Sequence, residues 1–172
     1  DIKTLKLKSL CRFRQNLKKS KARLKIQLTS YVDVIFPELQ YFFKSGLHIK
    51  SCYELLKVYS SPDDIAALHL TKLSNILTKA SRGRFGKQDA ESLKSLAKSS
   101  VGVKNTYISI QITQTIAQIE LIESQLNELE TVIETAMDEL DSVIMTVPGI
   151  GKLNGAMILG EIGDIKRFSD SS

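Results

Sequence analysis

The sequence predicts an all-α protein in which two long antiparallel helices form a coiled coil and a small cluster of short helices lies at one tip. Three observations support this fold class. Apolar residues recur every three or four positions over about residues 103–145, the same spacing recurs over residues 3–36, and no segment alternates apolar with polar residues as a strand would. Trp is absent and aromatic residues make up only 6% of the chain, so we expect a mostly aliphatic core.

The later long helix carries a heptad pattern that is sustained over its whole length, which is typical of a coiled coil. At 1.5 Å per residue this helix would be about 65 Å long, and we expect Pro148 to end it. The seam could pair two chains or pair with the first helix, and the heptad pattern does not choose between these arrangements. The seam positions are Ile108, Ile112, Thr115, Ile119, Ile122, Leu126, Leu129, Ile133, Ala136, Leu140, Val143 and Val147.

If the seam pairs two chains, it predicts a homodimer. The residues expected to form that contact are Ile112, Ile119, Ile122, Leu126, Leu129, Ile133 and Leu140.

The earlier long helix has a less regular seam because Arg14 and Lys21 occupy two of its core positions. A charge at such a position lowers stability but helps to specify register or partner, and its long stem can be buried while its head reaches water. Pro37 is expected to end this helix. Its apolar seam positions are Leu7, Leu10, Leu17, Leu24, Leu28, Tyr31 and Ile35.

Short helices are expected between the long ones, near residues 38–45, 49–58, 62–69, 71–80 and 87–99. The clearest start is at Ser61, because Ser is a favoured N-cap, Pro62 suits the first helical position and two acidic residues follow. We therefore expect a helical region over residues 1–145, with a short-helix insertion over about 37–100. Residues 146–172 would open a second domain that is cut off, so the chain is interpreted as an excised fragment.

The net charge of +5 hides a strong asymmetry along the chain. Residues 1–100 contain 20 Lys and Arg against 8 Asp and Glu, whereas residues 101–172 contain 4 against 11. A basic half suggests a polyanion partner, and self-association between the two halves is the rival explanation. There is no signal-peptide pattern and no sustained apolar run, so no membrane partner is expected. The two cysteines suit a reducing cytoplasm.

A dense basic run occupies the first helix, with ten Lys and Arg from Lys3 to Lys25 and no acidic residue among them. Opposite charges normally intersperse on a solvated face, so the run favours contact with nucleic acid, and such binding should fall steeply with salt. The alternatives are a basic solvated surface, or pairing with the acidic outer face of the second long helix. The candidate nucleic-acid contacts are Arg12, Arg14, Lys18, Lys19, Lys21, Arg23 and Lys25.

A second, smaller basic patch surrounds Phe85 in a loop that contains glycine. Arg82, Arg84 and Lys87 provide the charge. A loop with arginine and an aromatic ring can stack on unpaired bases. A mobile surface loop without a ligand is the equally favoured alternative.

A tight turn is expected where Pro148 is followed by Gly149, Ile150 and Gly151. The two glycines allow positive φ angles and a close backbone approach, and the N–H groups that open the next helix would then face outward beside Lys152. This pattern is typical of a helix-hairpin-helix, which binds the nucleic-acid backbone through Gly149, Gly151 and Lys152. An ordinary tight turn between two helices is the alternative.

No catalytic set is visible, and no cofactor is expected in this part of the protein. His48 and His69 are isolated and are interpreted as surface or half-buried residues. Cys11 and Cys52 lack partners at metal-ligand spacing, and we expect no metal here. Acidic neighbours on the second long helix, such as Glu130 and Glu134, are interpreted as a surface stripe.

The C-terminal segment also resembles the opening of the C-terminal domain of RuvC-like, DEDD-type bacterial insertion-sequence transposases (the IS-one-ten family). Upstream, Leu10-Cys11-Arg12-Phe13-Arg14-Gln15-Asn16-Leu17 is similar to that family's Leu-x-Arg-x-Arg-x-x-Leu. Phe36-Pro37-Glu38, Ser60-Ser61-Pro62 and Ala80-Ser81-Arg82-Gly83 also fit, whereas Gly155 stands where the family more often has Ala. The specific part of the resemblance is Val147-Pro148-Gly149-Ile150-Gly151, Ala156, Ile158-Leu159-Gly160-Glu161-Ile162-Gly163-Asp164 and Arg167-Phe168.

The resemblance implies that the chain is the middle region of a DNA transposase or recombinase, plus the first part of its C-terminal domain. It implies an acidic quartet that binds a divalent metal such as Mg²⁺ before Asp1, and a serine used for strand cleavage after Ser172. It also implies DNA and a structured guide RNA as partners, with assembly into an oligomer through the helical region. No catalytic residue would then lie in this chain, and neither Ser171 nor Ser172 is expected to be a nucleophile.

Two other functions stay open at this stage. A coiled-coil structural adaptor would explain the long heptad run and the acidic second half without any nucleic acid. A DNA repair or resolution factor would use the helix-hairpin-helix turn without a RuvC-like acidic quartet.

Overall fold

The computed structural model describes residues 2–163, and all regular structure in that range is helical. The all-α prediction is therefore confirmed. The motif residues Asp164, Arg167 and Phe168, and the two terminal serines, lie outside the described residues. The α-helices are α1 Ile2–Ile35, α2 Leu39–Phe42, α3 Lys50–Val58, α4 Pro62–Ala67, α5 Leu70–Ser81, α6 Lys87–Lys98, α7 Thr106–Leu140 and α8 Lys152–Ile162, and a short 3-10 helix covers Val143–Thr146.

The chain divides into two compact units. The first unit consists of Asp1–Ala22 together with Leu121–Ser172, and the second unit consists of Arg23–Glu120. Each long helix contributes one part to each unit, and residues 146–163 fold with the first unit.

The core of the first unit joins both long helices to α8. Leu7 and Cys11 of α1 pack in one cluster with Leu129, Ile133 and Met137 of α7 and with Ala156 of α8. Two ion pairs fix the relative direction of the long helices in this unit, because Arg14 contacts Glu130 and Lys21 contacts Glu123. A step forward along α1 matches a step backward along α7, so the helices are antiparallel here.

Helix α8 approaches its neighbours closely because two small residues face them. A Cβ atom at Gly160 would lie 3.0 Å from Cα and 3.1 Å from N of Lys8, so the glycine lets α8 contact the backbone of α1. A Cβ atom at Gly155 would lie 3.1 Å from Sδ of Met145 and 3.2 Å from Cε of Met137, which are flexible side-chain ends. Helix α8 is therefore closely packed at Gly155 as well.

Helix α7 ends earlier than the sequence predicts, at Leu140 rather than near residue 145. Asp141 adopts a left-handed conformation with φ +42°, which an α-helix does not continue through. The hydroxyl of Ser142 then accepts from the N–H of Ile144 and starts the 3-10 helix. The prediction that Pro148 ends the helix was wrong, because this local turn ends it first.

The core of the second unit is larger and surrounds the end of α1. Leu28 and Val32 of α1 pack in one cluster with Ile112, Ile116 and Ile119 of α7, and residues from α2 to α6 complete it. Ser61 caps α4 as predicted, since its side chain accepts from the N–H of Asp64 at 3.2 Å.

The segment that leads into α7 lies against the end of α1. A Cβ atom at Gly102 would lie 2.0 Å from the carbonyl oxygen of Ile35, so only glycine fits there, and Val103 donates its N–H to the carbonyl of Val34 at 2.8 Å. The carboxylate of Glu38 accepts from the Ser100 hydroxyl at 2.7 Å and from the Val101 N–H at 2.9 Å. Burial raises the pKa of Glu38, but these hydrogen bonds outweigh it and the net shift is downward.

Within each unit, the heptad seam of α7 packs against α1 of the same chain. Ile112, Ile119, Leu126, Leu129 and Ile133 are buried, while Ile122 and Leu140 are half-buried. Ile112 and Ile119 share a core with α1 in the second unit, and Leu129 and Ile133 share one with it in the first unit. The last two predicted seam positions, Val143 and Val147, follow the end of α7 and are exposed.

Candidate nucleic-acid interface

Part of the basic run on α1 is neutralised by acidic residues of the first unit. Arg14 lies 2.6 Å from Glu130, and Lys21 lies 3.2 Å from Glu123. The Arg14 side chain is only 12% exposed, so the pair at Glu130 is the most sheltered of these contacts. The expected alternative of pairing with the second long helix is therefore correct for Arg14 and Lys21.

Two further cations of α1 converge on one carboxylate of α8. Arg12 donates from Nε and Nη2 to the two oxygens of Glu161, at 3.1 and 3.3 Å, and Nζ of Lys8 lies 3.2 Å from the same carboxylate. The hydrogen bonds from Arg12, and then those from Lys8, hold the pKa of Glu161 below its ordinary value. Lys8 and Arg12 are both accessible to solvent, but both already form ion pairs with the carboxylate of Glu161.

The remaining candidates on α1 present their charge to solvent. Lys18 and Lys19 of the first unit are exposed and make no ion pair with any residue from 2 to 163. In the second unit, Arg23 is exposed and Lys25 is half-buried. The predicted nucleic-acid contacts on α1 thus fall into two groups. One group forms ion pairs within the protein, and the other has no such partner among residues 2–163 and can bind a ligand.

The turn before α8 uses its two glycines differently. Gly149 has φ +87° and needs the freedom of glycine, as predicted. Gly151 has φ −78° and is the N-cap of α8, and its carbonyl accepts from the N–H of Gly155 at 2.9 Å. The expectation of positive φ at Gly151 was wrong, because an extended N-cap needs no left-handed conformation.

Lys152 stands at the start of α8 but is already engaged. Its Nζ lies 2.6 Å from Oδ1 of Asp138 on α7, and both side chains are well exposed, at 41% and 61%. A phosphate would compete with this carboxylate for the lysine. The exposed pair is weak enough for that exchange, since surface ion pairs contribute about 0–1 kcal/mol.

The basic loop around Phe85 is fixed by hydrogen bonds. Arg82 and Gly83 adopt left-handed conformations, at φ +55° and +86°, and Gly83 donates to the carbonyl of Thr78 at 2.8 Å. The N–H of Phe85 donates to Ser81 Oγ at 2.9 Å, and its carbonyl accepts from the Thr78 hydroxyl at 3.0 Å. This network favours a preformed loop over the mobile one considered above.

The Phe85 ring packs against the core of the second unit and is not free to stack on bases. It stacks on Phe42 at 5.9 Å between centroids and meets Phe43 edge-to-face at 5.5 Å. Tyr41 precedes Phe42 in α2 and is 86% exposed. Tyr41 was not predicted as a site residue from the sequence. Its position directly before Phe42 and Phe43 was a signal that could have identified it.

The histidines and cysteines have structural surroundings. His48 is half-buried, with Nε2 3.1 Å from Thr29 Oγ1 and Nδ1 2.9 Å from the Tyr53 hydroxyl. Thr29 donates its own proton to the carbonyl of Lys25, so the imidazole must donate from Nε2 and accept at Nδ1. Burial, and then the charge of Lys25, lower the pKa of His48. His69 is exposed.

Neither cysteine is placed for chemistry. Cys11 and Cys52 are free thiols that lie in the cores of different units. Burial raises the pKa of both thiols, which keeps them protonated and unreactive. Over residues 2–163, no three His, Cys, Asp or Glu side chains come together as metal ligands. We assign no metal chemistry to these residues.

One known family matches the end of the chain. The sequence model described as "Transposase IS116/IS110/IS902 family" matches residues 141–172. In the structure this match begins at Asp141, directly after α7, and its described part covers the 3-10 helix, the glycine turn and α8. No curated protein matches the chain. In the described range, no helix is both long and apolar enough to cross a membrane.

Proposed function

We propose that this chain is part of an insertion-element transposase, in which it acts as a helical arm that binds the nucleic-acid backbone. The match to the transposase family supports the first half of this proposal. The observation that carries the second half is the shared core of the first unit. Ala156 of the matched segment packs with Leu7 of α1 and Ile133 of α7, so the matched segment and both long helices fold together.

The shared core has a consequence for what the arm does. Because α8 and one part of each long helix form one unit, a nucleic acid bound by the transposase-like segment would lie near the cations that α1 presents in the same unit. Lys6, Lys18 and Lys19 are exposed cations there with no carboxylate partner among the described residues, and of these Lys18 and Lys19 are adjacent in the sequence. We therefore assign the phosphate contacts to these two lysines, ahead of Arg14 and Lys21, whose charges Glu130 and Glu123 already balance.

Three further features of the proposal come from the family resemblance. They are a RuvC-like catalytic domain that uses Mg²⁺, a structured guide RNA, and assembly into an oligomer. None of the three is assigned to particular atoms of residues 2–163. For the oligomer, the measurement is the mass of the purified chain in solution by light scattering over a range of concentrations, and a strictly monomeric mass would remove that part of the proposal.

The first experiment is a titration of the chain against duplex DNA and a structured RNA hairpin of equal length, at about 50 and about 200 mM salt. We expect affinity to fall steeply as salt rises, since each neutralised phosphate releases counterions. Replacing Lys18 and Lys19 together with Glu should lower the slope of log affinity against log salt by about 2, because about one unit is lost per phosphate contact.

A matched control has the same change in net charge. Lys50 and Lys98 are exposed lysines of the second unit, and replacing both with Glu should leave the salt slope unchanged if binding is local. Equal losses in the two double variants would show a general charge effect and would overturn the assignment to Lys18 and Lys19.

Lys152 provides a test of the glycine turn. Lys152→Glu should weaken binding uniformly across DNA sequences, because a phosphate contact carries no base information. Asp138→Asn should strengthen binding slightly, because it releases Lys152 from its carboxylate. A loss confined to one DNA sequence would contradict a backbone contact here.

One observation favours a second candidate function, a structural adaptor that binds no nucleic acid. Four cations of the basic run, at positions 8, 12, 14 and 21, form ion pairs inside the first unit, so much of the run has a structural explanation. The adaptor predicts no salt-dependent affinity for DNA or RNA. The same titration therefore separates the two functions.

A further inference from the structure

We propose that one end of the second unit is a binding site for an unpaired stretch of nucleic acid. The site is formed by residues 39–48 and 78–88, which we call the loop end. In it, Tyr41 stacks on a base, and the lysines and arginines of the two segments contact phosphates. This goes beyond the helical arm proposed above, because it concerns the other unit and a different form of nucleic acid.

Two segments that are distant in the sequence are held together at the loop end. Phe85 of the second segment packs on Phe42 and Phe43 of the first, at centroid distances of 5.9 and 5.5 Å. Arg84 donates from Nη2 to the hydroxyl of Ser45 at 3.3 Å, which adds a polar contact at the rim of the aromatic cluster. The packing of these rings thus holds the two segments together.

The exposed side chains of the loop end carry one sign of charge. The two segments contain five Lys and Arg residues and no Asp or Glu, and all five are exposed. None of the five makes an ion pair within the described part of the chain. The cations are Lys44, Lys79, Arg82, Arg84 and Lys87.

The acids that border these segments are occupied elsewhere. Glu38 accepts hydrogen bonds from Ser100 and Val101, and Asp89 accepts from the N–H of Gly86 at 2.8 Å. Neither carboxylate contacts a cation of the loop end. This contrasts with α1, where Glu161, Glu130 and Glu123 neutralise the neighbouring cations. An uncompensated cluster of this kind attracts a polyanion.

Tyr41 adds the feature that selects unpaired bases. Its ring is 86% exposed and lies on α2, directly before the Phe42 ring that anchors the helix. An exposed aromatic ring can stack on a base whose face is open, and every base offers such a face. In a duplex both faces of each base are covered by neighbouring pairs. A single strand, a loop or a bulge is therefore the form of nucleic acid that this site fits.

The loop end is preorganised, which reduces the entropy lost on binding. Gly83 and Gly46 hold positive φ angles and donate their N–H groups to the carbonyls of Thr78 and Phe43, at 2.8 and 2.7 Å. Arg84 also lies over the Phe85 ring, with 5.8 Å from its Cζ to the ring centroid. Its planar guanidinium group is thus already oriented at the rim, where it can bind a phosphate or stack on a second base.

The test uses the whole chain and a fluorescent single-stranded RNA of about 12 nucleotides, a length within the range that stacking sites of this kind cover. A blunt RNA duplex of the same length, in which every base is paired, is the competing ligand. A 2-aminopurine base in the single strand reports stacking directly, because its emission falls when it stacks on a ring. We expect tighter binding of the single strand than of the paired form, with quenching on binding.

Tyr41→Ala should weaken binding of the single strand about tenfold and remove the quenching, whereas Tyr41→Phe should retain both, because the ring makes the contact. Tyr107 is the matched control, since it is also a strongly exposed tyrosine of the second unit, at 80%. Tyr107→Ala should bind like the unchanged chain. Equal effects of Tyr41→Ala and Tyr107→Ala, or no effect of either, would overturn the proposal.

The charged residues are tested by Arg84→Ala combined with Lys87→Ala, which should lower the salt slope for the single strand by about 1.4, since each phosphate contact on a single strand contributes about 0.7. Lys50→Ala combined with Lys98→Ala is the control. Polyglutamate and vesicles with anionic lipid represent the other classes of polyanion. If either binds as tightly as RNA and with the same dependence on Tyr41, the site does not select nucleic acid and the proposal fails.

The outcome separates this site from the helical arm. The variant with Glu at positions 18 and 19 should lose duplex binding but keep single-strand binding and its quenching. If duplex binding depends on Lys18 and Lys19 while Tyr41→Ala has no effect on the single strand, the helical arm stands and the loop end does not. If single-strand binding depends on Tyr41 while duplex binding is absent, the loop end is supported and the helical arm is not.

Discussion

The first unit and the loop end of the second unit are both rich in lysine and arginine, but they use these residues in different ways. In the first unit, cations of α1 lie opposite carboxylates of α7 and α8, and four of them form ion pairs at 2.6–3.2 Å. At the loop end, five exposed cations lie on the two segments that carry the aromatic cluster, and these segments contain no Asp or Glu. A count of basic residues therefore does not identify a nucleic-acid surface; the neighbours that each cation already has decide it.

The comparison predicts that removing charge destabilises the first unit. Glu130→Ala leaves the guanidinium group of Arg14, whose side chain is 12% exposed, without its partner. We expect a loss of about 2 kcal/mol in the free energy of unfolding, below the value for a fully buried pair because Glu130 itself reaches water. Urea unfolding followed by circular dichroism measures it.

Two controls sharpen this prediction. Asp138→Ala removes an exposed pair of the same unit and should cost less than about 1 kcal/mol. Replacing Arg14 with Met in the Glu130→Ala background should recover most of the lost stability, since no charge is then left unpaired. If the two single alanine variants lose the same amount, burial does not distinguish these pairs.

A second prediction concerns the close approach that brings Glu161 to Lys8 and Arg12. Gly160→Ala places a Cβ 3.0 Å from the Cα of Lys8, so α8 must shift away from the α1 backbone. Overpacking of this kind costs about 1–3 kcal/mol, and the higher helix propensity of Ala returns up to about 1 kcal/mol. We expect a net loss of about 1 kcal/mol, measured by urea unfolding.

Gly155→Ala is the matched control on the same helix. Its Cβ would meet only the ends of Met145 and Met137, which can move aside. This variant should be neutral or slightly more stable than the unchanged chain. A loss at Gly155 as large as at Gly160 would show that the contact with the Lys8 backbone is not what limits the packing.

The long helices could be predicted from the sequence, but the contacts between helices could not. The spacing of Ile112, Ile119 and Ile133 predicted their burial because periodicity is a local property of one helix. It missed Met137, which is buried because α8 packs over it. It also did not pair Arg14 with Glu130, since the register between two helices is set by both together and neither sequence specifies it alone.

The same limit applies to the candidate site. The loop with Arg82, Arg84 and Lys87 was recognisable from its composition. The burial of Phe85 was not, because it depends on Phe42 and Phe43, which the fold brings from a distant part of the chain. Tyr41 becomes a candidate only once its neighbours are known to be buried and it is seen to be exposed.

A third prediction concerns pH and separates the two units again. The pKa of His48 in the second unit is lowered by burial and by Lys25, so the unfolded chain binds a proton at about pH 6.5 that the folded chain does not yet bind. Stability should therefore be fully present above about pH 6.5 and should fall as the pH decreases toward the lowered pKa. Urea midpoints at about pH 7.5 and about pH 5.5 measure the difference.

His48→Gln should reduce this dependence on pH, because an amide can keep a hydrogen bond to Thr29 but does not titrate in the window. His69→Gln is the control at an exposed histidine whose side chain forms no hydrogen bond with a described residue. An unchanged pH dependence in His48→Gln would mean that another group of the chain is responsible.

The smallest expected effect is a gain in the free energy of unfolding, in contrast to the loss expected for Glu130→Ala. At the loop end, Lys44 and Lys79 have no partner acid in residues 2–163, so replacing both with Gln relieves repulsion among the cations. We expect a gain in the free energy of unfolding of up to about 0.5 kcal/mol in low salt, which is the usual range for surface substitutions. The gain should vanish at about 1 M salt, where the Debye length is about 3 Å.

Affinity for the single strand should fall in the same variant, because the unpaired charges that lower stability are the ones that bind phosphate. A loss of stability instead would show that these lysines are already balanced, and the contrast between the two units would then fail at the loop end.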